Sequence, residues 1–340
     1  MRPRPALLAL VLSLVSIISL LPGCAGGSSD RLTIYSGRNK ELIKPLLDRF
    51  SADTGVKIDV RYGDSAELAA LLSEEGARSE ADVFLSQSPG AMGFLESEDL
   101  LAELPASTLD RVPVEDRSAD ARWVGLTGRV RVLVYNKDQV DPSELPESVL
   151  DLAGANYKGR VGVAPSNASF QDFVTFMRSD IGEEATAEWL AGMADNDAQT
   201  YANNVDIVAA VADGDLDMGL VNHYYVAQEQ AADQQTDADV HFFGGGDPGA
   251  LLLVTAAAEL ATTNQSEDGR RLIDFLLTER SQRYFATETD EYPLVAGVDT
   301  ADAVVPFDEI EPTRTDLASL GPGLQETVDI IEDSGLREGE

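Results

Sequence analysis

The sequence predicts an α/β fold made of two doubly wound lobes joined by a hinge. Short apolar strands alternate with amphipathic helices from Arg31 onward, which is typical of a sheet covered by helices on both faces. The alternation starts again after Trp123. The roughly 310 residues that carry it are enough for two domains. In such lobes the loops after parallel strands face a shared crevice, where a ligand would bind.

The first lobe is predicted from its hydrophobic periodicity. Apolar residues recur at helical spacing between Leu42 and Phe50, and Gly55 ends that helix. The predicted strands of this part are 32–35, 56–62 and 81–85, and the further predicted helices are 66–72 and 89–96. The alternation over these residues therefore predicts one doubly wound unit.

The second lobe follows from the same pattern after Trp123. Its predicted strands are 130–135, 160–163 and 216–221, and its predicted helices are 170–177 and 205–212. A further predicted strand, 250–255, and a helix around 272–276 come later in the chain. We expect the chain to cross between the lobes near 123–128 and again near 241–246. Lobe 1 is then 31–127 with about 246–311, and lobe 2 is 128–245 with about 312–340.

The N-terminus has the pattern of an export signal. Two arginines precede an apolar stretch of about 16 residues, shorter than the ~20 of a membrane span, and Cys24 follows. We therefore expect a signal peptide over 1–23, a lipidated Cys24 and a flexible spacer over 24–30. The protein would be exported and lipid-anchored to the outer face of the cell membrane or held in the periplasm. Ordinary cleavage that removes Cys24 is the alternative.

Composition excludes several classes of function. A net charge of −35, from 60 acidic and 25 basic residues, excludes nucleic acid as a partner. Cys24 is the only cysteine, so disulfides and thiolate metal sites are excluded. Two histidines and the absence of nucleophile-elbow, P-loop or zinc-protease motifs argue against an enzyme. His223 is interpreted as a turn residue rather than as a ligand.

Two adjacent tyrosines stand out among the polar residues that follow predicted strands. Turn preference explains Asn and Ser at such positions, but it does not explain Tyr224 and Tyr225. A phenol with a pKa near 10 binds a metal once a highly charged cation replaces its proton, so the pair is a plausible cradle for Fe(III). From the residues alone, the favoured interpretation is an aromatic pair that packs in the interface between the lobes or grips a sugar or organic ligand.

The chain from Arg31 to about Gly335 resembles the bacterial ferric-ion-binding proteins, the periplasmic iron(III)-binding components of ABC importers. The resemblance rests on seven segments that occur in the family's order: Ile34 to Glu41, Ala81 to Phe84, Trp123 to Tyr135, Tyr201 to Asn204, Leu220 to Tyr225, Asp247 to Leu251 and Glu291 to Leu294. It implies a type II periplasmic-binding-protein fold that closes on Fe(III) and a synergistic anion, either carbonate or phosphate.

The resemblance also implies roles for single residues. Tyr224 and Tyr225 match the paired phenolate ligands, while Asn39 and Gln87 stand where relatives have a histidine and a glutamate, and are weak ligands. The residues expected to contact the anion are Asn167, Ala168, Ser169, Asn204, Asn222, Ser88 and Arg38.

The expected partners follow from the same family. A monomer would deliver iron to an ABC permease powered by a separate ATPase, with membrane contact only through the lipid anchor. The alternative keeps this fold and changes the solute to thiamine, a polyamine, a phosphonate or an inorganic anion.

Overall fold

The computed structural model describes residues 31–302, 304–307, 309–315, 320 and 323–336. The predicted signal peptide, Cys24 and the spacer lie outside these residues, as do 337–340. Across the described part of the chain, no helix is both long and apolar enough to cross a membrane.

Strands and helices alternate along most of the described chain. The strands are β1 Leu32–Ser36, β2 Ile58–Tyr62, β3 Val83–Ser86, β4 Val124–Asn136, β5 Val161–Val163, β6 Gln199–Thr200, β7 Met218–Asn222, β8 Ala238–His241, β9 Leu252–Glu259 and β10 Tyr292–Pro293. The α-helices are α1 Lys40–Thr54, α2 Ser65–Glu75, α3 Pro89–Ser97, α4 Ala106–Leu109, α5 Ala168–Asp180, α6 Glu183–Asp195, α7 Asn204–Ala212, α8 His223–Ala232, α9 Ser266–Leu276, α10 Glu279–Glu288 and α11 Leu324–Asp333.

The helix predicted over 42–50 shows why these segments fold as expected. Its apolar positions are buried as one stripe, from Ile43 to Phe50. Asn39 caps its first turn by accepting a hydrogen bond from the Glu41 N–H. Gly55 ends it at a φ of 76°, where a side chain would be strained. The sequence pattern missed the elements β6, β8, β10, α4, α6, α10 and α11.

The sheet is mixed rather than fully parallel. Its strand order is β2-β1-β3-β9-β4-β7-β5-β6, and β8 and β10 also pair with β4. The strands β1, β2 and β3 are parallel, and so are β5, β6 and β7, as the alternation predicted. Between these two parallel groups, β9 and β4 run antiparallel to their neighbours.

One long strand joins the two halves of this sheet. From Val124 to Val130, β4 pairs with β9, and from Arg131 to Asn136 it pairs with β7 and β8. The change of partner therefore falls between Val130 and Arg131. A segment that the sequence suggested as a crossing, 123–128, is thus largely regular strand.

Candidate functional site

A polar cavity of about 160 Å³ lies where strands and helices from both halves meet. Its walls come from the turns after β1, β3, β5 and β7, the start of α2, and β4 itself. The lining residues are Gly37, Asn39, Asp64, Ser65, Gln87, Arg129, Asn167, Ala168, Ser169, Asn222 and Tyr225. Besides Tyr225, six of the residues expected at the site line the cavity: Asn39, Gln87, Asn167, Ala168, Ser169 and Asn222.

The tyrosine pair sits in the first turn of α8, directly after β7. The ring centroids of Tyr224 and Tyr225 are 4.1 Å apart, so both phenols approach the same region. Tyr224 is buried, and its hydroxyl accepts a hydrogen bond of 3.3 Å from Nε2 of Gln87. Burial, followed by the neighbouring Tyr225, raises the pKa of Tyr224 well above its usual value, while Arg129 opposes this.

The turn before α5 forms a second wall of the cavity. Asn167 caps that helix, and its Oδ1 accepts hydrogen bonds from the backbone N–H and the hydroxyl of Ser169, at 3.1 and 2.6 Å. Asn204 does not line the cavity but donates from Nδ2 to the same oxygen at 3.2 Å. The first-turn N–H groups of α5 thus lie at the cavity, where a helix attracts anions.

Two buried arginines that the sequence analysis missed stand behind this wall. Arg129 and Arg131 lie at alternate positions of β4 and are 2% and 1% exposed. Arg129 lines the cavity and donates to the carbonyl oxygen of Gln87. Arg131 donates from Nη1 to Ser169 and to Oδ1 of Asn222, both at 3.3 Å. Burial, and then the charge of Arg129, lower the pKa of Arg131 to about 9.

Arg38 lies away from the cavity. It is not among the lining residues, because its Nη2 forms a buried ion pair of 2.7 Å with Glu291 and its Nη1 donates to Thr127 at 3.2 Å. The expectation that this guanidinium meets the anion thus finds no support in the geometry, and Arg129 is the arginine at the cavity.

Ser88 is also turned from the cavity. Its hydroxyl donates to Oδ1 of Asp172 in α5 at 2.9 Å and accepts from the N–H of Ala91. Asp172 is 1% exposed, and burial raises its pKa to about 7. Since Ser88 follows β3 and Asp172 follows β5, this contact connects the two halves of the sheet.

Asn39 and Gln87 line the cavity in different ways. Because Oδ1 of Asn39 caps α1, the NH2 group is the end of its amide that remains for a ligand, and an NH2 group is no metal ligand. Gln87 uses its NH2 group toward Tyr224, which leaves its amide oxygen for a cation. Asp64 adds a carboxylate to the cavity while its Oδ1 caps α2.

His223 has both ring nitrogens engaged and does not line the cavity. Its Nδ1 accepts from the Val130 N–H at 3.2 Å, its Nε2 lies 2.9 Å from the Asp290 carbonyl oxygen, and burial lowers its pKa to about 3. Within the described residues no cluster of three or more His, Cys, Asp or Glu could hold a metal. The oxygen groups at the cavity that could bind a metal ion include the phenol of Tyr225, the carboxylate of Asp64 and the amide of Gln87.

Known proteins of similar sequence and structure fit this geometry. The family model described as "Bacterial extracellular solute-binding protein" matches residues 79–312. The chain is 32% identical to the Fe(3+)-binding periplasmic protein of Serratia marcescens, over 99% of this chain and 100% of that protein. It is 31% identical to the major ferric iron-binding protein of Neisseria meningitidis, over 90% and 93%.

A solved structure of an iron-binding protein has a similar fold. Iron-bound HitA from Pseudomonas aeruginosa superposes with a TM-score of 0.85 at 33% identity, covering 90% of this chain and 99% of that one. These findings confirm the resemblance to ferric-ion-binding proteins with the two-lobed type II periplasmic-binding fold, and they confirm the expectation of a binding protein rather than an enzyme. The chain therefore belongs to the bacterial extracellular solute-binding protein family.

Proposed function

We propose that this protein is the exported iron-binding component of an ABC importer, and that it captures Fe(III) together with a synergistic anion in the polar cavity. The observation that carries the proposal is the pair of phenol rings 4.1 Å apart at the start of α8, with Tyr225 lining the cavity and Tyr224 bonded to the lining residue Gln87. Relatives named for ferric ion binding support it.

The chemistry of the cavity suits a trivalent cation. Burial makes Tyr224 hard to ionise, so a metal must supply the charge that displaces its proton. Two phenolates give hard oxygen ligands, which suit Fe(III), and we propose that the amide oxygen of Gln87 or the carboxylate of Asp64 completes the protein's share. The anion occupies the wall formed by Asn167, Ser169 and Asn222.

The size of the cavity favours an ion over an organic solute. At about 160 Å³ it has room for a metal ion and a small oxyanion. Pockets for drug-sized ligands begin at about 300 Å³. The alternative solutes that exceed this size, such as thiamine, would need a wider cleft than the one described here.

We propose that capture proceeds by closure of two lobes. The lobe boundaries inferred from the sequence, 31–127 with 246–311 and 128–245 with 312–340, are supported by the partner change of β4 after Val130. The contact of Thr327 in α11 with Thr175 in α5, at 2.7 Å, supports placing the C-terminal residues with lobe 2. Ligands held by both lobes stabilise the closed state, because only that state offers all contacts at once.

We further propose that the closed protein, as a monomer, docks on a membrane permease whose ATPase powers uptake. A lipid on Cys24 would hold it at the outer face of the cell membrane. The sequence pattern at the N-terminus supports this anchor. Carbonate and phosphate are the anions we expect.

Titration of metal-free protein with ferric citrate tests the function. We expect a visible phenolate-to-Fe(III) absorption band in the wild type that is lost in Tyr224→Phe and Tyr225→Phe. Tyr157→Phe is the matched control, because that hydroxyl donates to the Glu144 carbonyl oxygen, outside the cavity. A colourless wild type under every anion condition, or a band that survives both cavity substitutions, would contradict the proposal.

A further inference from the structure

A side chain takes the place of a strand where β4 changes partners. On β4, Thr127 and Gly128 pair with β9 on one side and with β10 on the other, and β7 begins to pair only at Arg131. Between these two pairings, the backbone N–H of Val130 donates to Nδ1 of His223 at 3.2 Å. The imidazole thus satisfies a buried backbone donor that the sheet would otherwise leave unpaired.

The same imidazole is held by its other nitrogen. Nε2 of His223 lies 2.9 Å from the carbonyl oxygen of Asp290, two residues before the start of β10 at Tyr292. A backbone N–H can only donate and a carbonyl oxygen can only accept, so Nδ1 has the lone pair and Nε2 has the proton. The two contacts therefore select one neutral tautomer and one orientation of the ring.

The ring of His223 also packs between two tyrosines. It stacks on Tyr292, with the ring centroids 4.4 Å apart and the planes at 21°, and it meets the ring of Tyr224 edge-on at 5.9 Å and 84°. The hydroxyl of Tyr292 donates to the carbonyl oxygen of Val305 at 2.9 Å, which holds this stacking partner in place. A displaced imidazole would therefore displace the ring of Tyr224 as well.

These contacts connect the helix that carries the tyrosine pair to the opposite lobe. His223 is the first residue of α8 and belongs to the proposed lobe 2, whereas Asp290 and Tyr292 belong to the proposed lobe 1. Gln87, the cavity residue that donates to the hydroxyl of Tyr224, also belongs to lobe 1. The position of the phenols relative to the lobe 1 side of the cavity thus depends on this imidazole.

We propose that His223 is a positioning residue that anchors the start of α8 to β4 and to the segment before β10, and thereby sets where the two phenols meet lobe 1. The inference deepens the proposed function and rests on it for the ferric ion that the phenols bind. The anchor needs an acceptor and a donor on one rigid group, and a planar amide also offers both. Glutamine can therefore replace the imidazole, whereas phenylalanine keeps the ring and loses both hydrogen bonds.

Titration of the full chain with ferric citrate compares His223→Phe with His223→Gln. We expect His223→Phe to bind Fe(III) at least about tenfold more weakly than the wild type, because two buried hydrogen bonds are lost, and to shift the phenolate-to-Fe(III) absorption band. His223→Gln should recover most of the affinity and the wild-type band. His241→Phe is the matched control, since it removes a bond of the same kind, 2.9 Å from Nε2 to the Pro146 carbonyl oxygen, outside the cavity.

Hydrogen exchange at the Val130 amide, followed by NMR in the metal-free full chain, measures the anchor without iron. Exchange should be at least about tenfold faster in His223→Phe than in the wild type, and slow again in His223→Gln. Thermal unfolding identifies a variant that has lost its fold. If His223→Phe does not fold, His223→Asn replaces it, because the shorter amide cannot reach both partners.

Three results would overturn the inference: a folded His223→Phe with wild-type affinity and band, an unchanged exchange rate at Val130, or a His223→Gln variant no better than His223→Phe. A wild type without a ferric band would refute the proposed function. The exchange of the Val130 amide would still decide, in that case, whether His223 anchors α8.

Discussion

The substitution Asp172→Asn should change how the stability of the metal-free protein depends on pH. Asp172 is 1% exposed, and burial is the main reason that its pKa rises from 3.8 to about 7 in the folded protein. Ser88 and Arg129 favour the charged form but do not offset the burial. An amide at this position removes the ionisation and keeps the size.

The direction and size of the effect follow from proton linkage. The unfolded chain loses this proton near pH 3.8, whereas the folded protein keeps it to about pH 7. The folded state therefore binds more protons between these values, and the contribution of Asp172 to stability falls as pH rises through this window. With about 1.4 kcal/mol for each tenfold change in the protonation constant, the full loss is about 4 kcal/mol.

Urea unfolding at pH values from 4.5 to 8 measures this contribution. We expect the free energy of unfolding of Asp172→Asn minus that of the wild type to increase with pH, by at most about 1.4 kcal/mol per pH unit, and to level off above pH 7. Asp120→Asn, which changes an exposed carboxylate, should run parallel to the wild type. If the curves of Asp172→Asn and the wild type run parallel, this carboxyl does not keep its proton in the folded protein and the prediction fails.

Two further substitutions test the surroundings of the cavity. Arg38→Met leaves Glu291 buried without its cation and should lower the free energy of unfolding, measured in urea, by about 3 to 5 kcal/mol. Arg271→Met breaks an exposed ion pair and should lower the free energy of unfolding by less than about 1 kcal/mol. Similar losses of stability in both variants would contradict the prediction that the buried ion pair contributes more than the exposed one. Gly90→Ala would place its Cβ 2.7 Å from Oδ1 of Asp172, so we expect the contact between α3 and α5 to loosen and ferric affinity to fall at least threefold in a competition titration with citrate. An affinity equal to the wild type would show that the two helices separate without affecting capture.

Elements with strong local signals were predictable from the sequence. The helix over 42–50 has a regular apolar stripe, an N-cap and a closing glycine, and each of these acts within a few residues. The placement of polar residues after strands predicted most of the cavity, because parallel strands bring those turns to one edge. The adjacent tyrosines were visible for the same reason.

Contacts between distant residues were not predictable. Arg38 comes directly after β1, as the cavity residue Asn39 does. Its guanidinium instead pairs with Glu291, which is 253 positions away in the sequence. Arg129 and Arg131 were missed because they lie within the otherwise largely apolar sequence of β4. Their spacing of two was the available signal, since alternate residues of a strand share a face, and two charges on one buried face call for a ligand.

The long strand β4 also determines how the protein unfolds. It is interior to the sheet on both sides of Val130, with β9 beside its first part and β7 and β8 beside its second. If the chain is divided into two fragments at either crossing, one fragment lacks a central strand of the sheet. Its neighbouring strand then has unpaired backbone N–H and C=O groups, which promote aggregation. The two halves should thus melt in a single cooperative transition, and complementation from separately expressed pieces should fail.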